Sequence, residues 1–211
     1  MSEQTLTLTH WIIFLGKKQN IRCDRDFIIS YFFTLIKEGN FAEMKVAFLD
    51  RDGTIIKDYP DQEWKNKITP EFFPKAIATL KHLQKLGYQL IIITNQYLID
   101  EKIITQADYE AFQEKFMQEL LINNVKILKV YYAPAARQVN HIMTKPNPGM
   151  INQALEDFPE IDLKNSFIVG DSQVDIALAQ NVGLPIFAIA QANTYEKCTQ
   201  INTLSDLISQ L

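Results

Sequence analysis

The sequence predicts an α/β fold, a doubly wound parallel sheet with helices on both faces. From Lys45 onward, short apolar runs alternate with stretches of helical spacing. The runs are continuous and β-branched, the pattern of strands covered on both sides. Polar residues gather where those runs end, and in such sheets ligands bind outside the carboxyl ends of the strands. A length of 211 residues fits one domain with an appendage, and 47% apolar content fits one sizeable core.

The elements follow in order. Residues 46–50 (VAFLD) are a short apolar run that ends in charge. After a polar loop, Ala76, Ile77, Leu80, Leu83 and Leu86 recur at helical spacing within 72–86, and Gly87 stops the helix. QLIIIT at 89–94 is a buried strand. Thr105 and Asp108 form a capping-box-like start, with Asp in the usual Glu position, for a helix over 109–121. ILKVYY at 127–132 is the next strand, and Pro148 begins a helix through Leu155. Strand 167–170 (FIVG), helix 174–181 closed by Gly183, strand 186–189 and helix 203–208 complete the series. Residues 1–43 stand apart from the domain at 44–211. They include an amphipathic helix over 25–41, and they read as an accessory segment that packs on the domain or contributes to a homodimer contact.

Composition excludes several classes. With 21 basic and 25 acidic residues, net −4, the chain is a poor general binder of nucleic acid or anionic membranes. No apolar run approaches the ~18 residues of a membrane span. The run at 11–15 also lacks the basic start and cleavage site of a secretory signal. Cys23 and Cys198 are too few for a disulfide scaffold or a four-thiolate zinc site. A soluble, cytoplasmic protein is expected. Glycine is scarce, 7 residues in all, so Gly53, Gly149 and Gly170 mark places where the backbone has few alternatives.

Those glycines stand beside the polar groups. The first strand ends in Asp50-Arg51-Asp52-Gly53-Thr54 and the second in Thr94-Asn95-Gln96. Lys145-Pro146-Asn147-Pro148-Gly149 precedes a helix, and Gly170-Asp171 through Asp175 follows the FIV strand. The set meets the needs of a Mg²⁺-dependent phosphoryl transfer. Asp50 can attack phosphorus, and Asp52 can protonate the leaving oxygen and later deprotonate water. Thr94 offers a hydroxyl donor and Lys145 a compact positive charge. Asp171 completes the metal site, and Asp175 can brace it. A carboxylate approaching a phosphate dianion costs several kcal/mol at ~4 Å unless the charge is neutralised. The metal and Lys145 supply that neutralisation. By contrast Asp24-Arg25-Asp26, which repeats the triplet, follows no strand and lacks the glycine, and it reads as helix capping.

The ordered motifs DxDGT, Thr-Asn at a strand end, Lys, then GDxxxD resemble the haloacid dehalogenase superfamily of aspartate-nucleophile phosphatases. TNQ and KPNPGM resemble its histidinol-phosphatase and heptose-bisphosphate-phosphatase branch. The resemblance covers residues 44–189. It implies a Rossmann-like sheet with the nucleophile strand central, and Mg²⁺ held by Asp50, the backbone carbonyl of Asp52, and Asp171. It also implies an aspartyl-phosphate on Asp50, with Thr94, Asn95 and Lys145 on the phosphate. The gaps between Asp50 and Thr94 and between Asn95 and Lys145 leave no room for a separate cap domain. Specificity therefore falls to the loops at 57–69, 97–104 and 133–144.

Those loops depart from the branch. Residues 133–144 hold no cysteine and only His141, so zinc is not expected. Thr144 stands where the branch has arginine, and residues 97–102 are acidic where a basic residue is usual. The function expected is hydrolysis of a small phosphomonoester, a sugar phosphate or a histidinol-phosphate-like compound. Arg137 is a candidate for a second anionic group, and His141 reads as a solvated loop residue. Three other readings stay open: a nucleic-acid 3′-end phosphatase, a receiver-type signalling domain, and a binding protein with little turnover.

Overall fold

Strand β1 (Val46–Leu49) is buried along its whole length, and the sheet is built outward from it. The computed structural model describes residues 43–191 and 195–211. After β1 come α1 (Ala76–Lys85), β2 (Gln89–Asn95), α2 (Gln106–Ile122), β3 (Lys129–Ala133) and α3 (Gly149–Asp157). Then follow β4 (Phe167–Gly170), α4 (Gln173–Val182), β5 (Ile186–Ile189) and β6 (Cys198–Ile201). The six strands are all parallel in the order β3-β2-β1-β4-β5-β6. The chain winds outward from β1 in one direction through β3, then returns to the other side of β1 with β4. That reversal opens a crevice at the carboxyl ends of β1 and β4.

Period-two geometry divides the core between the two faces. Ala47, Leu49, Leu90 and Ile92 pack with Leu80 and Leu83 of α1 and Phe112 and Phe116 of α2. Val46, Phe48, Ile91 and Ile93 pack with Met150 and Ile151 of α3 and Ile176 of α4. Each large side chain so buried contributes about 1.5–3 kcal/mol. Thr105 caps α2 through a capping box with Asp108, as the sequence predicts.

Several boundaries differ from the sequence reading. Helix α1 begins at Ala76 rather than 72, because Phe72 pairs with Ile56 in a bridge and Lys75 takes a φ of 65°. The loop at 57–69 contains a 3₁₀ turn, Asp61–Asn66, whose Trp64 is buried. The segment expected as a final helix is the 3₁₀ turn Leu204–Ser209. Strand β6 has no apolar signature, since its central residues Thr199 and Gln200 are exposed at the sheet edge. The helix expected over 25–41 and the triplet at 24–26 lie outside the described residues. Among the described residues no helix is long and apolar enough to cross a membrane.

Candidate active site

The first acid of the site leaves β1 directly, with Asp50 N–H donating to the Val169 carbonyl of β4 at 2.9 Å. The chain then reverses tightly: Ile55 and Ile56 N–H both donate to the Arg51 carbonyl, and Gly53 N–H to the Ile56 carbonyl. Gly53 has a φ of 84°, and an added Cβ there would overlap the Asp171 carboxylate. Glycine is required twice over, for the backbone conformation and for the approach of the acid. Gly170 plays the matching part at the end of β4, where a Cβ would overlap Asp175.

Asp50, Asp52, Thr94, Asn95, Lys145 and Asp171 all line one cleft of about 200 Å³. Asp175 lies beneath it. Lys145 Nζ donates to Asp50 Oδ1 at 2.6 Å and to Asp175 Oδ1 at 2.7 Å, and all three side chains are buried. Asp175 Oδ2 accepts from the backbone N–H and the hydroxyl of Ser172, the N-cap of α4. Asp175 therefore acts first on the lysine. The side chain of Asn95 donates to the Lys145 carbonyl at 3.1 Å and accepts from the Lys145 N–H at 2.9 Å. It thus clamps the lysine loop while still lining the cleft in which the sequence reading put it on the phosphate.

Asp52 is held by residues to which the sequence reading gave no role. Arg51 donates to its two oxygens through Nε and Nη2, each at 2.9 Å, and Gln96 Nε2 donates to Oδ2 at 2.6 Å. Gln96 also donates to the Thr94 hydroxyl at 2.9 Å. Arg51 is 1% exposed, donates through Nη1 to Gln113 Oε1 at 2.7 Å, and lies over the rings of Tyr109 and Phe112. Its position inside the DRD triplet was the available signal, since a charge flanked by two site acids needs a partner.

The electrostatics call for an added cation. Burial pushes the Asp50 carboxyl well above the usual carboxylate range against the pull of Lys145, with Asp175, Asp171 and Asp52 adding to the rise. Burial, together with Asp175, pushes Asp171 up to about 6. Burial opposes the charge of Lys145, but Asp175 and Asp50 outweigh it and hold the ammonium above the ordinary lysine value. Carboxylate oxygens of Asp50, Asp171 and Asp175 lie within 4.8 Å of one another. Both Asp175 oxygens are already bonded, whereas among the described residues the one side-chain donor on Asp171 is the Thr54 hydroxyl at 3.5 Å. Hard oxygen donors with excess negative charge fit a small divalent cation such as Mg²⁺.

At the rim, Arg137 joins all three loops. Its guanidinium donates to Glu101 at 2.7 and 3.0 Å and to Asp61 at 2.6 Å, and it lies 4.2 Å over the Tyr97 ring. His141 accepts from the Met143 N–H at 3.2 Å, within its own loop.

This geometry agrees with what the chain is similar to. The family model described as polynucleotide kinase 3 phosphatase matches residues 45–188. The D-glycero-alpha-D-manno-heptose-1,7-bisphosphate 7-phosphatase of Photorhabdus laumondii is 35% identical over 151 residues, 68% of this chain and 80% of that one. The histidine biosynthesis bifunctional protein HisB of Spirosoma linguale is 32% identical over 141 residues, 66% of this chain and 36% of that one. A crystal structure of D,D-heptose 1,7-bisphosphate phosphatase from B. bronchiseptica, complexed with magnesium and phosphate, shares the fold. It has a TM-score of 0.69 at 20% identity, covering 79% of this chain and 97% of that one. The acid pair Asp50 and Asp52, with Lys145 and Asp171, gathers at the switch point of a six-stranded parallel sheet. The chain is a phosphatase of the haloacid dehalogenase superfamily, and it belongs to the polynucleotide kinase 3 phosphatase family, on the histidinol-phosphatase and heptose-bisphosphate-phosphatase branch.

Proposed function

We propose that this phosphatase hydrolyses a small phosphomonoester, a sugar phosphate or related metabolite, in a Mg²⁺-dependent reaction through an aspartyl-phosphate on Asp50. The observation that carries the reading is Lys145 Nζ set 2.6 Å from Asp50 Oδ1 inside the cleft that Asp171 also lines. An oxygen of Asp50 forms the new bond to phosphorus as the ester P–O bond breaks. Asp52 gives its proton to the departing oxygen. Water then attacks phosphorus, Asp52 takes the water proton, and Asp50 and inorganic phosphate are released. Lys145 stabilises negative charge on the phosphoryl oxygens. A Mg²⁺ ion held by Asp50, Asp171 and the Asp52 carbonyl would neutralise the remaining charge. The heptose-bisphosphate phosphatases among its relatives support a sugar phosphate as substrate.

The test is phosphate release from an aryl phosphate with Mg²⁺ or with a chelator. Wild type turns over only with the metal, and Asp50→Asn loses about 10³-fold or more of its turnover. Undiminished turnover in Asp50→Asn overturns the mechanism. The description of the matched family favours a second reading, a nucleic-acid 3′-phosphate. Acidic residues at the rim count against it, and a 3′-phosphorylated oligonucleotide in the same assay checks it.

A further inference from the structure

One carboxylate in the cleft has no part in the proposed reaction. Asp58, from the loop after β1, lines the cleft beside the acid pair. Its Oδ1 is fixed by the Tyr59 N–H at 2.8 Å and by the Trp64 indole N–H at 3.1 Å. Its Oδ2 accepts no hydrogen bond from the described residues. Asp58 is exposed at the mouth of the cleft, and a carboxylate oriented there by two donors with its other oxygen open can accept from a ligand that donates. Partial desolvation, with Asp52 and Asp61 nearby, raises its carboxyl above the usual range. The remaining outer wall, formed by Trp64, Tyr97, Leu98 and Val174, carries no cation.

The rim cation does not change this. Arg137 is bound to Asp61 and Glu101 and is not among the cleft-lining residues. An incoming phosphate would have to displace two carboxylates from it and sit near Asp58 as well. Like charges brought together in that way are penalised.

Resting on the phosphomonoesterase reading, we propose that Asp58 is a specificity-determining residue. It binds hydrogen-bond donors on the leaving group, hydroxyls of a polyol or the ammonium of an amino alcohol, and the rim disfavours a second phosphate. The enzyme is selective for donor-bearing monophosphates over bisphosphates.

The experiment compares kcat/KM of the full-length protein on p-nitrophenyl phosphate, sorbitol 6-phosphate, O-phosphoethanolamine and fructose 1,6-bisphosphate. Wild type favours one or both donor-bearing monophosphates over the bisphosphate, and their order separates hydroxyl from ammonium recognition. Asp58→Asn lowers the ratio of the favoured substrate to p-nitrophenyl phosphate roughly tenfold, the loss expected when a charged hydrogen-bond partner is removed. The Asp61→Asn, Glu101→Gln double variant frees Arg137 and raises the relative rate on the bisphosphate about fivefold, within the range of an exposed ion pair. Equal scaling of every substrate by Asp58→Asn overturns the assignment. So does a wild-type preference for the bisphosphate, which would point instead to the hollow beyond Trp64 where Lys65, Lys67 and Lys115 stand. Absence of phosphate release from every substrate, p-nitrophenyl phosphate included, overturns the phosphomonoesterase reading itself.

Discussion

Lys145 and Asp175 meet at 2.7 Å, out of reach of solvent, and the same ammonium touches Asp50 at 2.6 Å. Asp175 thereby sets where the positive charge lies against the first acid of the site. Removing one partner of a buried pair leaves the other uncompensated. Asp175→Asn, which keeps the shape, is expected to cost about 3 kcal/mol of stability. Turnover should fall about 10²-fold, since a misplaced group of this kind costs that much. Denaturant unfolding and steady-state kinetics on an aryl phosphate check both figures.

Gly53→Ala tests the close approach of β1 and β4. The new methyl would overlap the Asp171 carboxylate, at a backbone φ of 84° that L residues rarely adopt. Strain of that kind costs on the order of 1–3 kcal/mol, and the displaced acid should weaken Mg²⁺ activation about tenfold or more. The Mg²⁺ concentration giving half-maximal phosphate release is the readout. An unchanged value would separate Asp171 from the metal.

Metal-free stability should depend on pH with a definite sign. Asp171 titrates at about 6 in the fold against 3.8 when unperturbed. A carboxyl raised in this way stabilises the fold fully below the unperturbed value. That contribution is lost as pH rises through about 6. In chelator, the melting temperature of wild type should therefore fall by a few degrees between pH 4.5 and pH 7, relative to Asp171→Asn, on the order of 2–4 °C per kcal/mol for a chain of this size. A pH profile identical in the two proteins would refute the burial argument.

Arg51→Lys replaces a planar fork with a point charge. A lysine cannot reach both oxygens of Asp52 and the side-chain Oε1 of Gln113, as Arg51 does. The substitution should destabilise the protein by about 3–5 kcal/mol, the range for breaking a buried pair. It should also lower kcat more than it raises KM, because Asp52 loses its orientation. Thermal unfolding and kinetics on an aryl phosphate are the measurements.

Much of the site is legible in the sequence. Continuous apolar runs located β1, β2, β4 and β5, and the polar residues at their ends marked Asp50, Asp52, Thr94 and Asp171. These signals are local, because a strand's pattern and its terminal residue lie within a few positions of each other. Helix α2 was legible for the same reason, its cap being written in Thr105 and Asp108.

The individual bonds between those residues were less legible. The motifs placed Lys145 beside Asp50, but not its bond to Asp175, 30 positions on, nor that of Thr54 to Asp171, 117 positions away. The bonds of the Asn95 amide to the Lys145 backbone, 50 positions away, are not marked in the sequence. Arg137, a candidate for a second anionic group, is bonded in the fold to Asp61 and Glu101, which the sequence does not mark as its partners. Strand β6 leaves no mark in the sequence because an edge strand with exposed central residues carries no apolar period. Local pattern dictates where a polar group leaves the backbone. Only the folded chain selects which distant charge it meets, because electrostatic and hydrogen-bond partners are chosen by separation in space, which linear order does not encode.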